Sequence, residues 1–137
     1  MSIYTYERKA QYHETDKMGI IHHSNYVKWM EEARVAFLDS IGWSFKRIEE
    51  NGIVSPVVSI SVEYRKQVEF EDLVEVRLSI LRYNGTILEL EYEFFNKTKN
   101  EVCAKASSRH VFIREEKLVS LRRVLPAMDE VIRGLIN

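Results

Sequence analysis

A polar segment that begins at Tyr12 and ends at Tyr26 holds most of the side chains in this sequence that could do chemistry. It reads Y-H-E-T-D-K-M-G-I-I-H-H-S-N-Y and contains three of the four histidines together with Glu14 and Asp16. An ionised carboxylate can attack an acyl carbonyl carbon as a nucleophile, or activate a water molecule as a general base. Asp16 is therefore a candidate catalytic residue. From residue chemistry alone its more frequent role is that of a turn residue, since Asp commonly bonds its own backbone just before a glycine.

The histidine pair His22-His23 allows three roles, namely metal ligand, catalytic base and loop residue in contact with backbone or solvent. The sequence contains no H-E-x-x-H motif or similar ligand spacing, so no metal site is predicted. Cys103 lies within an apolar, strand-like run without a basic residue beside it, and we expect an inert, buried thiol. The histidines therefore rank behind Asp16.

A long helix is predicted immediately after this segment, from Asn25 to Ile41. Its apolar residues recur at spacings of three and four, which indicates one face packed on a core. Ser24 or Asn25 can cap its start, and Gly42 can end it. Unpaired N–H groups and the helix dipole favour negative charge at a helix N-terminus, including the oxyanion of an acyl-transfer intermediate.

The glutamates of this helix, Glu31 and Glu32, have two interpretations. Glu32 precedes Arg34 closely enough to predict surface charge pairing, and a catalytic carboxylate is the alternative. The aromatic residues Tyr26 and Trp29 are predicted to lie in the core. Tyr26 belongs to the first helical turn, where a substrate could also contact it.

The remaining pattern predicts one antiparallel sheet. Turn signals and period-two runs give strands over 3–12, 53–65, 74–83, 86–96 and 102–114, a short amphipathic helix over 45–50 and a final helix over 127–136. Asn84-Gly85 is typical of a tight hairpin turn. One long apolar helix followed by consecutive strands favours an α+β fold, in which the sheet packs on that helix.

Composition narrows the class of protein. The chain has 137 residues, of which 45% are apolar, and we expect a single domain over 1–137. A formal net charge of −1 without long charge runs argues against nucleic-acid or membrane binding. A charged N-terminus, short apolar runs and a single cysteine predict a cytoplasmic protein.

The segment from Tyr12 to Gly42 resembles the 4-hydroxybenzoyl-CoA thioesterase family of hotdog proteins. The residues that carry the resemblance are Asp16, Gly19 and the pair Asn25-Tyr26 that opens the helix. Weaker likenesses follow along nearly the whole chain, at Gly52-Ile53-Val54, Pro56-Val57-Val58-Ser59, Glu71-Asp72 and His110-Val111-Phe112. The chain departs from the family pattern at Glu14, because relatives often have Asp-x-Asp before the glycine loop.

The resemblance implies a hotdog fold assembled as a homodimer or homotetramer, with active sites between protomers. It implies hydrolysis of an acyl-CoA thioester without a metal or another cofactor. In that mechanism Asp16 is the nucleophile or general base, and the backbone N–H of His23 polarises the thioester carbonyl, with a lesser role for the His23 ring. The stretch Ser59, Ile60 and Ser61 matches residues that line the thioester and pantetheine in relatives.

Two other functions use the same fold, which does not decide activity by itself. A β-hydroxyacyl dehydratase would move protons with a histidine and a carboxylate, here His23 with Glu31 or Glu32. A non-catalytic acyl-CoA-binding module would retain affinity without turnover. We expect the module to be the weaker alternative, because no appended DNA-binding segment is found.

Overall fold

A computed structural model describes residues 3–136. These described residues form seven strands and four α-helices, with one short 3-10 helix at Tyr12–Glu14. In chain order these are β1 (Ile3–Lys9), α1 (Ser24–Ser40), α2 (Phe45–Glu50), β2 (Val57–Tyr64), β3 (Leu73–Tyr83), β4 (Ile87–Asn96), β5 (Glu101–Val111), β6 (Ile113–Arg114), β7 (Lys117–Leu118), α3 (Leu121–Val124) and α4 (Pro126–Ile136).

Five of the strands form one sheet in the order β1-β3-β4-β5-β2, and every neighbouring pair is antiparallel. Along β3 and β4, buried apolar residues alternate with charged ones, as a sheet with one covered face requires. α1 packs on the covered face against β1 and β3. Its spacing of three and four places a continuous set of side chains in the core: Tyr26, Trp29, Met30, Ala33, Phe37 and Leu38. The α+β architecture and the core positions of Tyr26 and Trp29 are confirmed.

The element boundaries differ from the predictions in several places. The first strand ends at Lys9, where the 3-10 helix follows, and β2 begins only at Val57. The predicted strand 102–114 ends at Val111, because the chain then forms the small β6-β7 hairpin. Neither that hairpin nor α3 was predicted, since both are too short to show a period in the sequence.

The hairpin between β3 and β4 is confirmed, but its turn is displaced by one residue. The N–H of Asn84 donates to the carbonyl of Ile87, so Gly85 and Thr86 occupy the centre of the turn. The Asn84 side-chain oxygen accepts from the N–H groups of Thr86 and Ile87. Gly85 has a φ of 94°, and a Cβ there would lie 2.9 Å from Oγ of Ser120. This turn therefore requires glycine both for its backbone and for its packing.

The C-terminal helix α4 packs against β3 and contributes to the same core as α1. Met128 and Ile132 are fully buried, and the Tyr83 hydroxyl donates to the carboxylate of Asp129. Arg133 forms a second bond to the same carboxylate. No helix within residues 3–136 has the length and apolar character needed to cross a membrane.

Candidate active site

Asp16 lies in a tight turn in which only one of its two carboxylate oxygens accepts a hydrogen bond from the described residues. Its N–H donates to the Ile20 carbonyl at 2.8 Å, and its carbonyl accepts from the N–H of Gly19 at 3.1 Å. One carboxylate oxygen, Oδ1, accepts from the N–H of Met18 at 2.7 Å. Among residues 3–136 nothing donates to Oδ2. The turn role considered for Asp16 is thus present, and it orients the carboxylate without occupying it fully.

The N-terminus of α1 lies next to this turn. The helix begins at Ser24, and His23 is the cap residue before it. The carbonyl of His23 accepts a hydrogen bond from the backbone N–H of Tyr26. The N–H of His22 donates to the Glu14 carbonyl, whereas the N–H of His23 has no acceptor in the described part of the chain. The His22 ring stacks on the His23 ring and contacts the Ser24 hydroxyl. A free backbone donor therefore lies at the positive end of the helix dipole.

Asp16 and His23 line one concavity of about 250 Å³. Tyr26 and Tyr64 form part of its wall, with their rings edge to face at a centroid separation of 4.9 Å. The Tyr64 hydroxyl donates to the His23 carbonyl at 3.1 Å and so joins the end of β2 to the start of α1. Burial raises the pKa of the Tyr26 phenol, which stays neutral at physiological pH. The complete lining is Asp16, Ile20, Ile21, His23, Tyr26, Tyr64, Arg65, Lys66 and Gln67.

A buried carboxylate, Glu14, holds the loop that carries Asp16. It is 3% exposed and accepts from both terminal nitrogens of Arg8, from the indole N–H of Trp29 and from the N–H of Gln11. The Asn25 side-chain amide donates to the carbonyls of Glu14 and His22. The sequence did not reveal these roles. The acid at position 14 joins β1, the loop and α1, and Asn25 ties the loop to the helix.

The prediction that Glu32 pairs with Arg34 is wrong. Arg34 is buried and binds Glu31 through two nitrogens at 3.0 Å, while Glu32 accepts from Tyr6 and Arg8. On a helix, residues two apart point in different directions, whereas residues three apart share a face. Neither glutamate lines the concavity that contains His23. The pairing of His23 with Glu31 or Glu32, which a dehydratase would need, is therefore absent from the described residues.

The predicted substrate stretch lies on β2, at the edge of the sheet. Ile60 faces α1 and lines a second groove of about 300 Å³, separate from the Asp16 concavity. Strand alternation turns Ser59 and Ser61 to the opposite face of the sheet. The structure thus joins Asp16, His23 and Tyr26 in one site and places Ser59, Ile60 and Ser61 outside it within this protomer. The substrate role of that stretch stays a prediction.

The floor of the second groove contains a buried polar chain. The Ser108 hydroxyl lies 2.7 Å from the Tyr92 hydroxyl and 2.7 Å from Nε2 of His110. Nδ1 of His110 is buried without a partner in the described residues. Burial, together with the positive charge of Arg34, lowers the pKa of His110 to about 3. His110 is therefore neutral in the native protein at ordinary pH.

The reactivity of Cys103 and the capacity to bind a metal depend on burial and on the clustering of side chains. The predicted burial of Cys103 is confirmed, and burial raises the pKa of its thiol to about 12. Residues 3–136 contain no group of three or more His, Cys, Asp or Glu side chains arranged to hold a metal ion.

Comparison with known proteins agrees with this architecture. A family model described as the thioesterase-like superfamily matches residues 10–135. A putative acyl-CoA thioesterase, YneP, from Bacillus subtilis is 34% identical over 122 residues, which is 88% of either chain.

Solved structures give the same result. The DHNA-CoA thioesterase of Staphylococcus aureus superposes with a TM-score of 0.93 at 33% identity, covering 99% of this chain and 92% of that one. A second S. aureus protein, solved in complex with CoA, has a TM-score of 0.86 over 98% of this chain and 85% of its own, and its 15% identity shows a shared fold alone. The chain therefore belongs to the thioesterase-like superfamily of hotdog proteins and is an acyl-CoA thioester hydrolase.

Proposed function

We propose that this protein hydrolyses its acyl-CoA thioester in the concavity that contains Asp16 and the N-terminus of α1. The observation that carries the proposal is the pairing of two unoccupied groups in one site: Oδ2 of Asp16 and the N–H of His23. Thioester hydrolysis needs a group that attacks or activates water and a donor for the oxyanion that forms. The reaction uses no metal and no cofactor beyond the CoA of the substrate, and we expect it to take place in the cytoplasm.

The carbonyl oxygen of the thioester accepts from the His23 N–H, where the helix dipole favours the growing negative charge. In the general-base route, Asp16 takes a proton from water, and the hydroxide adds to the carbonyl carbon. The carbon–sulfur bond then breaks, and the CoA thiolate leaves and takes up a proton. In the nucleophilic route, Asp16 itself adds to the carbon and displaces the thiolate, and water cleaves the resulting anhydride. Tyr26, neutral and packed beside Tyr64, contacts the thioester side of the substrate.

The substitution Asp16→Asn tests this assignment. It keeps the size and the turn acceptor of the side chain but removes its basicity, so release of free CoA thiol should fall by about 10²- to 10⁴-fold. Asp39→Asn is the matched control, since Asp39 is exposed near the other end of α1. Full activity in Asp16→Asn, or an equal loss in both variants, contradicts the assignment. Rapid quenching and peptide mass spectrometry separate the two routes, because only nucleophilic attack leaves an acyl group on Asp16.

A screen of thiol release should use short aliphatic, long aliphatic and aromatic acyl-CoAs as substrates. The aromatic arm deserves priority because the S. aureus relative is named as a DHNA-CoA thioesterase. Thiol release by the wild type with any of them supports catalysis. Retained acyl-CoA affinity without thiol release from any chain length favours the binding module instead.

We also propose that the protein is a homo-oligomer built on β2. This strand is one of the two edges of the sheet, and seven of its eight residues are exposed, including Val58 at 52% and Ile60 at 41%. An edge strand with exposed apolar side chains is a ready surface for pairing with another chain. Pairing of β2 with its copy joins the two sheets and brings Ser59, Ile60 and Ser61 to the protomer interface, where the family resemblance places substrate contacts.

A further inference from the structure

Two consecutive cationic residues, Arg65 and Lys66, line the Asp16 concavity. In a regular strand, consecutive side chains point to opposite faces. β2 ends at Tyr64, however, and the N–H groups of Arg65 and Lys66 both donate to the carbonyl of Cys103, at 2.9 and 3.0 Å. This local break in the alternation allows both residues to line the same concavity.

These cations have charge available for a ligand. Lys66 is exposed, and its ammonium group has no partner in the described range 3–136. Arg65 uses only Nε to bind Glu63, at 2.7 Å, which leaves its two terminal nitrogens without a described partner. Asp16 is the one acidic side chain among the described residues that line the concavity. The described lining therefore holds two cationic residues and one acidic residue, and Glu63, outside the lining, pairs with Arg65.

The charge pattern matches the two ends of the substrate under the proposed function, on which this step rests. The thioester and the pantetheine arm are uncharged, whereas the nucleotide end of CoA carries phosphate groups. Guanidinium and ammonium groups are the side chains that bind phosphate best. We infer that Arg65 and Lys66 bind the phosphate groups of CoA and thereby set the preference for CoA over unphosphorylated thioesters. They act on affinity, while bond cleavage belongs to Asp16 and the His23 N–H.

Binding of CoA itself tests the inference independently of turnover. Isothermal titration should compare CoA, 3′-dephospho-CoA and pantetheine on the wild type, Lys66→Ala and the double variant Arg65→Ala/Lys66→Ala. We expect Lys66→Ala to raise the Kd for CoA by roughly 3- to 10-fold and the double variant to raise it further, with pantetheine changed less than twofold. If the variants lose affinity for CoA but not for 3′-dephospho-CoA, the two residues bind the 3′-phosphate. An equal loss of affinity for both ligands identifies the diphosphate instead. Raising the salt concentration should weaken CoA binding in the wild type more than in the double variant.

Lys117→Ala is the matched control. Lys117 is an exposed lysine beyond the other end of β2, since Val57 pairs with His110 there while Tyr64 pairs with Ala104. Equal affinity of the wild type for CoA and pantetheine, or equal losses in Lys66→Ala and Lys117→Ala, overturns the inference. So does a parallel loss of CoA and pantetheine affinity in the double variant.

Turnover distinguishes this inference from the proposed function. With a thioester that the wild type hydrolyses, the double variant should raise KM for the acyl-CoA rather than lower kcat. Phosphate-dependent CoA binding without thiol release would contradict the proposed catalysis and support the binding role of Arg65 and Lys66. Thiol release without phosphate dependence would contradict that binding role alone.

Discussion

The buried ring of His110 predicts a specific loss of stability in mild acid. The native protein holds this ring neutral, with a pKa of about 3, against the ordinary value of 6.5 in the unfolded chain. Within residues 3–136 the desolvated ring bonds no carboxylate, and its Nε2 forms a hydrogen bond with Ser108 alone. Because the folded pKa lies below the unfolded one, the unfolded state takes up a proton first as the pH falls. The associated stability is complete above pH 6.5 and is lost progressively toward pH 3.

The magnitude follows from the size of this shift. A difference of roughly 3.5 pKa units, at about 1.36 kcal/mol per unit, corresponds to about 5 kcal/mol once the pH is below both values. At pH 5 the unfolded ring is already protonated while the native ring is not. The expected loss there, relative to pH 7.5, is about 2 kcal/mol in the free energy of unfolding.

Urea denaturation of the wild type and His110→Gln at several pH values measures this loss. Glutamine is polar and does not titrate, so the difference in unfolding free energy between the two proteins should shift by about 2 kcal/mol from pH 7.5 to pH 5. His13→Gln is the control, because His13 is exposed, and its difference from the wild type should stay constant. Protein concentration must be the same throughout, since an oligomer gains stability with concentration. A difference for His110→Gln that does not change with pH would refute the reasoning.

Two further predictions concern the frame of the site and its assembly. Glu14→Gln should lower the free energy of unfolding by about 2 kcal/mol, because Arg8 loses its buried carboxylate partner and keeps only the partly exposed Glu32. Urea denaturation measures the loss, and a loss no larger than that of exposed Glu116→Gln would contradict the supporting role. Val58→Lys should convert the oligomer to a monomer, because it places a charge on the edge strand β2, and sedimentation equilibrium measures the change. The control Val131→Lys, on α4, should leave the oligomer intact. A wild type that is already monomeric contradicts pairing through β2.

Local patterns in the sequence correctly predicted most of the helices and strands. The spacing of apolar residues in α1 and the Asn-Gly signal after β3 depend on neighbours within a few positions, and both predictions were correct in kind. Boundaries were less accurate where a short element follows a longer one, as at the 3-10 helix after β1 and the β6-β7 hairpin after β5. The placement of Asp16 before Gly19 and the helix start could also be read from the sequence, and the structure brings Asp16 and His23 to one concavity.

The partners of the site residues could not be obtained in this way. Glu14 meets Trp29 from 15 positions away, and Tyr64 meets His23 from 41 positions away. Such contacts depend on how β1, β2 and α1 pack, and no local period encodes that packing. The presence of both Arg65 and Lys66 in one concavity could not be predicted either, because it accompanies the two hydrogen bonds from their N–H groups to the Cys103 carbonyl.

By itself the sequence determined which segments become helix or strand, which face of α1 is buried and which carboxylate precedes the helix start. Each of these depends on side-chain periodicity or turn chemistry over short distances. The tertiary structure alone decided the strand order that leaves β2 at the edge and the burial of Glu14 and His110. It also decided that the end of β2 meets the N-terminus of α1. These features arise from antiparallel pairing and packing between segments far apart in the chain, where burial and charge pairing set the chemistry of each group.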